Sequence, residues 1–313
     1  MIRAIVVDPL VPSHLAIKEV DAPQAQPWEA LVQVKAVSLN RGEVSDAKDQ
    51  EASSRPGWDF AGIVIEPAQN GAGPQKGARV AGLLQRGAWS EQVAAPVTML
   101  TEIPDKLIYT EAATLPVAGL TALNALRKGG MLLGKRIFIT GSTGGVGLIT
   151  HQLAALSGAF TAGLASTEEK ALLVREAGAD QVVIGYSGIS SARKFGPYDL
   201  IIDSVGGETL AALLPMLAPQ GICVAVGFSS SNSAMIDMRN LVTSGGRSLY
   251  GFFLGDELTR QSAADDLSLL AQLTADRKLT PRIEVEAPWT EIDTVARHLL
   301  ERKFSGKAVL HVS

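Results

Sequence analysis

Cysteine and histidine are scarce in this chain of 313 residues. It has one cysteine, Cys223, and four histidines, His14, His151, His298 and His311. A single cysteine excludes an intramolecular disulfide and a multi-thiolate zinc site. We expect the four histidines to lie on surfaces or helix faces and not to bind a metal. The cysteine usage favours a cytoplasmic protein.

Charged residues and long apolar runs are also limited. Charged residues make up 19% of the chain and the net charge is −4, so the basic footprint of nucleic-acid and anionic-membrane binders is lacking. No apolar run reaches the length of a membrane span, and the N-terminus "MIRAIVVDPL" does not read as a signal peptide. The hydrophobic fraction of 46% permits a large core, and the length favours two domains.

The pattern along the chain changes near residue 112. Before it, short β-branched runs punctuated by proline and glycine predict a small antiparallel barrel or sandwich. After it, strands alternate with helices, which predicts a doubly wound parallel sheet. The tail is expected to return to the first domain. The predicted domains are therefore 1–116 with 257–313, and 117–256.

Four glycines lie close together after an apolar run: Gly141, Gly144, Gly145 and Gly147. The run reads as a strand and the residues that follow read as a helix. Glycines at this point allow a tight turn, close approach of a pyrophosphate and close packing of helix on strand, while the helix N-terminus attracts the anion. The loop, with Ser142, Thr143 and Val146, is predicted to bind a dinucleotide.

The same letters also fit the nucleotide loop of short-chain dehydrogenases. That family places its loop near the start of the chain and needs a Tyr-x-x-x-Lys pair. The residues four positions after the tyrosines are Ala113, Ser190, Ile202 and Leu254. None of them is lysine, so this alternative is disfavoured.

The end of the second strand of the repeat decides which dinucleotide is expected. Enzymes that bind NAD usually place a carboxylate there, but "FTAGLAS" ends in Ala165 and Ser166. The Ser166 hydroxyl and the Lys170 ammonium suit a 2′-phosphate, which favours NADPH. Two observations oppose this reading: Ser166 and Glu169 also fit a capping box, and Glu168 adds negative charge beside Glu169.

Several stretches together resemble a known family: "VSLNRGEV", "GWDFAGIVIE", "AATLPVAGLTALNAL", "TGSTGGVG", "STEEKALLVREAGAD", "YDLIIDSVGG" and "GKAVL". The whole chain resembles the zinc-free quinone oxidoreductases of the medium-chain dehydrogenase/reductase superfamily, the zeta-crystallin-like branch. The resemblance implies an α/β fold: a Rossmann doubly wound parallel sheet plus a GroES-like β-barrel catalytic domain.

Zinc members of that superfamily carry a cysteine where this chain has "VSLNRGE", and a His-Glu pair where it has Trp58 and Asp59. The expected chemistry is therefore hydride transfer from the nicotinamide to an electron-poor acceptor without a metal. Asn40 is the best catalytic candidate, because its amide can donate to an acceptor carbonyl or to the coenzyme ribose. The alternative is an asparagine that caps a turn.

Other residues are expected to contact the coenzyme. The resemblance places Thr121 beside the nicotinamide and Tyr186 near the adenosine phosphate, and it lets Lys307 reach the coenzyme; each could instead be an ordinary helix, loop or solvated residue. Strand ends of open α/β sheets bind ligands, which adds Ser204, Gly227, Phe228 and Ser229. Phe252 and Phe253 either shield the nicotinamide or pack in the core or a dimer.

The substrate pocket is less determined. Typical bacterial quinone reductases have tyrosines soon after the asparagine, whereas the first tyrosine here is Tyr109. Benzoquinone is thus in doubt as the natural acceptor, and Trp58, Leu83 and Leu84 are candidates to line the pocket.

Three functions are compatible with these patterns: an NADPH-dependent quinone reductase, an NADPH-dependent enoyl or alkenal double-bond reductase, and a protein that binds NADPH without turnover. A small-molecule substrate is expected in the first two. The apolar stretch "SLYGFFL" predicts a sheet edge that pairs across a two-fold axis in a homodimer.

Overall fold

The computed structural model describes residues 1–313, except for the side chain of Tyr186. It divides into a split unit, residues 1–120 with 258–313, and a central unit, residues 121–257. The sequence predicts boundaries after residues 116 and 256, and the structure has them after residues 120 and 257. The first difference arises inside a continuous helix, Pro116–Arg127, in which no local sequence signal marks a boundary.

The elements are, in chain order, β1 (Ile2–Val7), β2 (Leu15–Val20), β3 (Glu29–Leu39), α1 (Arg41–Asp46), β4 (Asp59–Glu66), β5 (Arg79–Leu83), β6 (Gln92–Pro96), β7 (Leu100–Glu102), α2 (Tyr109–Ala113), α3 (Pro116–Arg127), β8 (Arg136–Ile139), α4 (Gly145–Leu156), β9 (Phe160–Ala165), α5 (Glu168–Glu176), β10 (Gln181–Ile184), β11 (Tyr198–Asp203), α6 (Gly207–Leu213), β12 (Leu217–Ala225), α7 (Met238–Thr243), β13 (Ser248–Gly251), α8 (Leu254–Glu257), α9 (Ala263–Ala275), β14 (Ile283–Pro288), α10 (Ile292–Leu300) and β15 (Lys307–His311). Short 3₁₀ turns connect some of them.

The split unit is built mainly of antiparallel strands. Its larger sheet has the order β14-β15-β3-β4-β5-β7, with β6 also paired to β3, while β1 and β2 form a separate antiparallel pair. Residues 29–35 of the long β3 alternate between buried and more exposed positions, as a strand with one buried face requires, whereas residues 36–39 are all buried. Its core includes Trp89, Trp289 and Phe60, all inaccessible to solvent. The tail strand β15 pairs with β3. The tail thus returns to the first part of the chain, as the sequence predicts.

The central unit is a six-stranded parallel sheet in the order β10-β9-β8-β11-β12-β13. This is the 3-2-1-4-5-6 order of dinucleotide-binding sheets. The predicted doubly wound sheet is therefore confirmed. Its core contains Phe138 and Tyr198, whose ring centroids lie 5.2 Å apart. β13 lies at one edge of the sheet, as expected from "SLYGFFL", but the strand ends at Gly251 and leaves both phenylalanines beyond it.

Within the described part of the chain, none of the helices combines the length and the hydropathy that are needed to cross a bilayer.

Candidate functional site

The loops at the carboxyl ends of β8, β11 and β12 are joined by hydrogen bonds. Thr140 Oγ1 donates to Asp203 Oδ1 over 2.7 Å and accepts from the N–H of Ser204 over 2.9 Å. The N–H of Ser229, after β12, donates to Ser204 O over 3.1 Å. Asp203 is fully buried, and burial raises the pKa of its carboxyl. This network fixes the strand ends at which open parallel sheets bind ligands.

The glycine loop follows β8 and leads into α4. Gly141 has φ +58°, and a Cβ there would overlap Ser204 Oγ. A Cβ on Gly147 would lie 2.6 Å from Ser142 Cα, so only glycine lets α4 pack this close to the turn. The residues between them, Thr143, Gly144, Gly145 and Val146, reach the surface. The first turn of α4 holds no acidic residue, and its backbone N–H groups have no partner within the helix.

One member of the loop, Ser142, has its side chain turned inward. Its hydroxyl donates to Ile139 O over 2.8 Å and accepts from the N–H of Leu164 over 3.1 Å. The third neighbour, His151 Nε2, lies 3.1 Å away and must carry the hydrogen, because the hydroxyl hydrogen is already used. Any contact of Ser142 with a coenzyme therefore falls to its backbone.

His151 itself departs from the expectation of a surface or helix-face residue. It lies on α4 but is completely buried, and its Nδ1 lies 3.1 Å from Thr161 Oγ1. Burial lowers the pKa of the imidazole to about 3, so the ring is neutral near pH 7. Its hydrogen bond with Ser142 stabilises the glycine loop.

The turn after β9 holds the residues expected at a 2′-phosphate. The N-cap of α5 is Thr167, whose Oγ1 accepts from the N–H of Lys170 over 3.2 Å. The alternative that Ser166 caps the helix is therefore wrong. Ser166 is exposed and Lys170 is half-buried, and neither side chain makes a hydrogen bond or ion pair within the described part of the chain. No carboxylate lies at the tip of β9 itself.

The remaining coenzyme candidates of the central unit differ in exposure. Phe228 is 70% exposed beyond β12 and Phe253 is 71% exposed beyond β13. Phe252 is buried, as the alternative of core packing requires. Thr121 is buried on α3, whereas Gly227 and Ser204 are partly accessible and Ser229 is exposed. The Tyr186 side chain lies outside the described residues.

Asn40 in the split unit belongs to a buried polar cluster, which we define as Ser38, Asn40, Glu43, Asp59 and Lys307. Lys307 Nζ donates to Asn40 Oδ1 over 2.6 Å, to Leu39 O over 3.0 Å and to Asp59 Oδ2 over 3.2 Å. Asn40 Nδ2 donates to Asp59 Oδ2 over 2.8 Å and to Glu43 Oε1 over 3.0 Å. Asn40 is the one member of the cluster with appreciable exposure.

The two carboxyls of the cluster are in different situations. Asp59 accepts from Ser38, Asn40 and Lys307 on Oδ2, and from the N–H of Val117 on Oδ1. Glu43 accepts only from Asn40, and its Oε2 is buried without a partner among the described residues. Burial, then the neighbouring Asp59 carboxylate, hold the pKa of Glu43 well above its usual range. We conclude that Asp59 balances the Lys307 charge and that Glu43 releases its proton only at a higher pH than an ordinary glutamate.

Two expected roles change as a result. Both Asn40 amide hydrogens are used inside the cluster, so none is free for an acceptor carbonyl in this arrangement. All three Lys307 ammonium hydrogens are used as well, and the side chain is 3% exposed, so Lys307 binds Asn40 and not a coenzyme. Sequence reasoning missed Glu43; the signal was the Asn-x-x-Glu spacing, which places a carboxyl at the third helical position facing the cap.

The expected pocket residues also separate. Trp58 and Leu84 are half-buried, and the N–H of Leu84 donates to Trp58 O over 2.9 Å. Leu83 is buried at the end of β5. Trp58 packs beside Gly42, where a Cβ would lie 3.1 Å from its ring.

The donor set does not fit a zinc ion. Across the described residues, no three His, Cys, Asp or Glu side chains are grouped so that they could hold a metal. Cys223 is buried in the central core, and the cluster around Asn40 supplies an ammonium in place of a metal ligand.

Two family descriptions match the chain. Residues 26–105 match the alcohol dehydrogenase GroES-like domain, and residues 145–272 match the family described as zinc-binding dehydrogenase. The first match lies in the split unit, and most of the second lies in the central unit.

Similar proteins cover between about three quarters and nearly all of the chain. Quinone oxidoreductase-like protein 2 of Bos taurus is 27% identical over 311 residues, which are 95% of this chain and 88% of that protein. Acryloyl-coenzyme A reductase of Sulfurisphaera tokodaii is 28% identical over 233 residues, 72% of this chain and 65% of that protein.

Among solved structures, a mycobacterial protein complexed with NADPH superposes with a TM-score of 0.88 at 25% identity, covering 100% of both chains. The split antiparallel unit, the 3-2-1-4-5-6 parallel sheet and these matches agree with the resemblance seen in the sequence. The chain belongs to the medium-chain dehydrogenase/reductase superfamily, as a member of its quinone oxidoreductase type.

Proposed function

We propose that this protein is an NADPH-dependent oxidoreductase that reduces a quinone or a similar conjugated acceptor without a metal. The observation that carries the proposal is the carboxyl edge of the central sheet. There, the unpaired N–H groups of the first turn of α4 follow β8, and the tip of the neighbouring strand β9 carries no carboxylate. The hydroxyl of Ser166 directly after β9 and the ammonium group of Lys170 on α5 make no hydrogen bond or ion pair within the described residues.

The binding roles follow from these groups. The loop residues from Thr143 to Val146, which are exposed or partly exposed, would hold the pyrophosphate through unpaired backbone N–H donors and the positive end of α4. Ser166 and Lys170 would hold the 2′-phosphate, and Glu168 opposes it less than the sequence suggests, because it points toward Arg175 with 4.0 Å between Glu168 Oε2 and Arg175 Nη1. Phe228, Ser229 and Phe253 supply exposed surface for the rest of the coenzyme.

The bound dihydronicotinamide would supply a hydride to an electron-poor carbon of the acceptor. The chain's own contribution is position and exclusion of water. Asn40, the partly exposed end of a rigid polar cluster, would form a fixed boundary of the acceptor site without donating to the acceptor, because both of its amide hydrogens are used. Trp58 and Leu84 would supply apolar surface for the acceptor.

The test is a fluorescence titration of the wild-type protein with NADPH and with NADH. We expect tighter binding of NADPH, since a charge-assisted hydrogen bond contributes about 1.5–3 kcal/mol, or roughly ten- to a hundredfold in affinity. Ser166→Ala and Lys170→Gln should each remove part of that preference and leave NADH binding unchanged. Lys76→Gln, an exposed lysine of the split unit, is the charge-matched control. Equal affinity for both coenzymes in the wild type would contradict the assignment.

A double-bond reductase is the second candidate. It is favoured by the similarity to acryloyl-coenzyme A reductase and by the lack of tyrosines between Asn40 and Tyr109. Rates of NADPH oxidation with quinones and with 2-alkenals distinguish the two activities. Tight NADPH binding with no oxidation by any activated acceptor would instead identify a coenzyme-binding protein without turnover.

We also propose a cytoplasmic homodimer that pairs through the β13 edge. Exposed apolar residues of the central unit gather near this part of the chain, namely Met235, Met238, Val242, Leu249 and Phe253. Light scattering at micromolar concentration should give twice the chain mass, and a monomer there would contradict the proposal.

A further inference from the structure

A groove on the split unit lies apart from the polar cluster around Asn40. Its volume is about 480 Å³, and its lining residues include Pro23, Ser53, Arg55, Leu84, Arg86 and Gly87. Two guanidinium groups line this groove and no carboxylate does. Surfaces with this balance of charge suit an anion.

Arg55 is unusual because its half-buried charge has no counterion among the residues that the structure describes. Its Nη2 donates to Ser90 Oγ over 3.1 Å and its Nη1 to Asp21 O over 3.4 Å, and both acceptors are neutral. Its Nε makes no hydrogen bond within the described part of the chain. Buried charged groups are normally paired with an opposite charge. The Arg55 guanidinium has only neutral acceptors among the described residues. Burial alone accounts for the lowered pKa of Arg55, with no nearby carboxylate acting on it.

The surrounding loops leave space beside this guanidinium. Gly87 has φ +80°, and a Cβ there would lie 3.9 Å from Arg55 Nε. Ser53 adopts a left-handed φ of +69°, which is uncommon outside glycine, and its exposed hydroxyl makes no hydrogen bond within the described residues. Arg86 is an exposed residue of the lining and makes no ion pair within the described part of the chain.

We propose that this groove is an oxyanion-binding site, in which the Arg55 guanidinium, assisted by Arg86 and the Ser53 hydroxyl, binds a carboxylate or a phosphate group. A planar guanidinium matches either group with two parallel N–H donors. If the proposed hydride transfer is correct, on which this step rests, the groove selects acceptors that carry such a group at a distance from their conjugated carbonyl.

The first experiment needs no activity. The full-length protein, saturated with NADPH so that the glycine loop is filled, is titrated calorimetrically with inorganic phosphate, pyrophosphate and acetate. We expect saturable binding that Arg55→Gln weakens about ten- to a hundredfold, the range of one charge-assisted hydrogen bond. Arg86→Gln should weaken binding less, because that side chain is exposed, and Lys76→Gln should not change it.

Binding that Arg55→Gln leaves unchanged would overturn the proposal and make Arg55 a purely structural residue. Should Arg55→Gln fail to fold, Arg55→Lys keeps the charge but removes the planar fork, and affinity equal to wild type would again overturn it. The relative strength of phosphate and acetate binding separates the two sources of the oxyanion.

The second experiment uses turnover. A conjugated ketone that carries a carboxylate is compared with its methyl ester, and Arg55→Gln should raise KM for the acid about tenfold or more with kcat and the ester kinetics unchanged. An equal effect on both compounds would contradict the assignment. If the wild type turns over neither compound, the proposed function is refuted instead. The calorimetric result would still show whether the groove binds an oxyanion.

Discussion

The two polar regions of this protein are built in opposite ways. At the carboxyl edge of the central sheet, the side chains of Ser166 and Lys170 and the N–H groups of the first turn of α4, Gly145 to Gly147, have no hydrogen-bond partner within the described part of the chain. In the cluster around Asn40, almost every donor and acceptor already has one. Open donors cost little where water or a ligand satisfies them, whereas buried ones must be paired within the protein. The first region is thus suited to binding, and the second to holding a rigid surface.

The largest expected effect concerns the cluster around Asn40, whose polar groups are paired within the protein. Lys307→Met removes the ammonium and leaves the Asp59 carboxylate buried without its cation, which should lower the free energy of unfolding by about 3–5 kcal/mol. Chemical denaturation measures it. Lys303→Met, which breaks the exposed contact with Glu301, is the matched control and should change little. A small effect at Lys307 would mean that the cluster is not held by its charges.

The next prediction concerns the glycine loop. It distinguishes a glycine that is needed for packing from one that is needed for coenzyme binding. Gly147→Ala places a Cβ against the Ser142 backbone and should destabilise the protein by about 1–3 kcal/mol, the usual cost of overpacking. Gly144→Ala adds a Cβ in open space, whose nearest contact is Gly141 O at 3.4 Å.

Thermal unfolding and NADPH titration, run on both variants, should therefore give different results. Gly144→Ala is expected to keep the wild-type melting temperature and to weaken NADPH binding, because it obstructs the approach of the pyrophosphate. If Gly144→Ala binds NADPH normally, the anion does not approach the loop at this point.

The mildest change concerns the proton on Glu43. Its pKa is raised in the folded protein, so the unfolded chain loses this proton first as pH rises. The free energy of unfolding should therefore fall from about pH 4.5, the ordinary value of the group, toward the folded-state pKa.

Glu43→Gln keeps an acceptor for Asn40 but has no proton to lose, and its stability should not show this component of the decline. The charges that act on Glu43 are Asp59 and Lys307, while Arg41 on the same helix binds Leu299 O and Leu300 O. The neighbouring α10 carries Asp293, Arg297 and His298, of which the first two pair over 3.2 Å. Denaturation curves across pH test this, and parallel wild-type and variant profiles would show that Glu43 is ionised.

Some strands escaped the sequence analysis. β2, β6 and β7 were not expected, because they are short or lack the β-branched runs that mark the others, and their pairing with distant strands stabilises them. The N-cap of α5 is a second feature that the sequence pattern did not predict, since the cap is Thr167 and not Ser166. Both residue types can cap a helix, and backbone geometry decides between neighbours.

The alternation of strands and helices after residue 112, the glycine loop and the lack of a carboxylate at the tip of β9 were determined by the sequence alone, because each depends on residues adjacent in the chain. Only the tertiary structure decided what the polar side chains do. Asn40 meets a lysine 267 positions away, Ser142 turns toward a buried histidine, and Arg55 is left without a counterion. Periodicity reports which face of an element is buried, but the partners on that face come from distant segments, and their hydrogen-bond geometry exists only once the chain is folded.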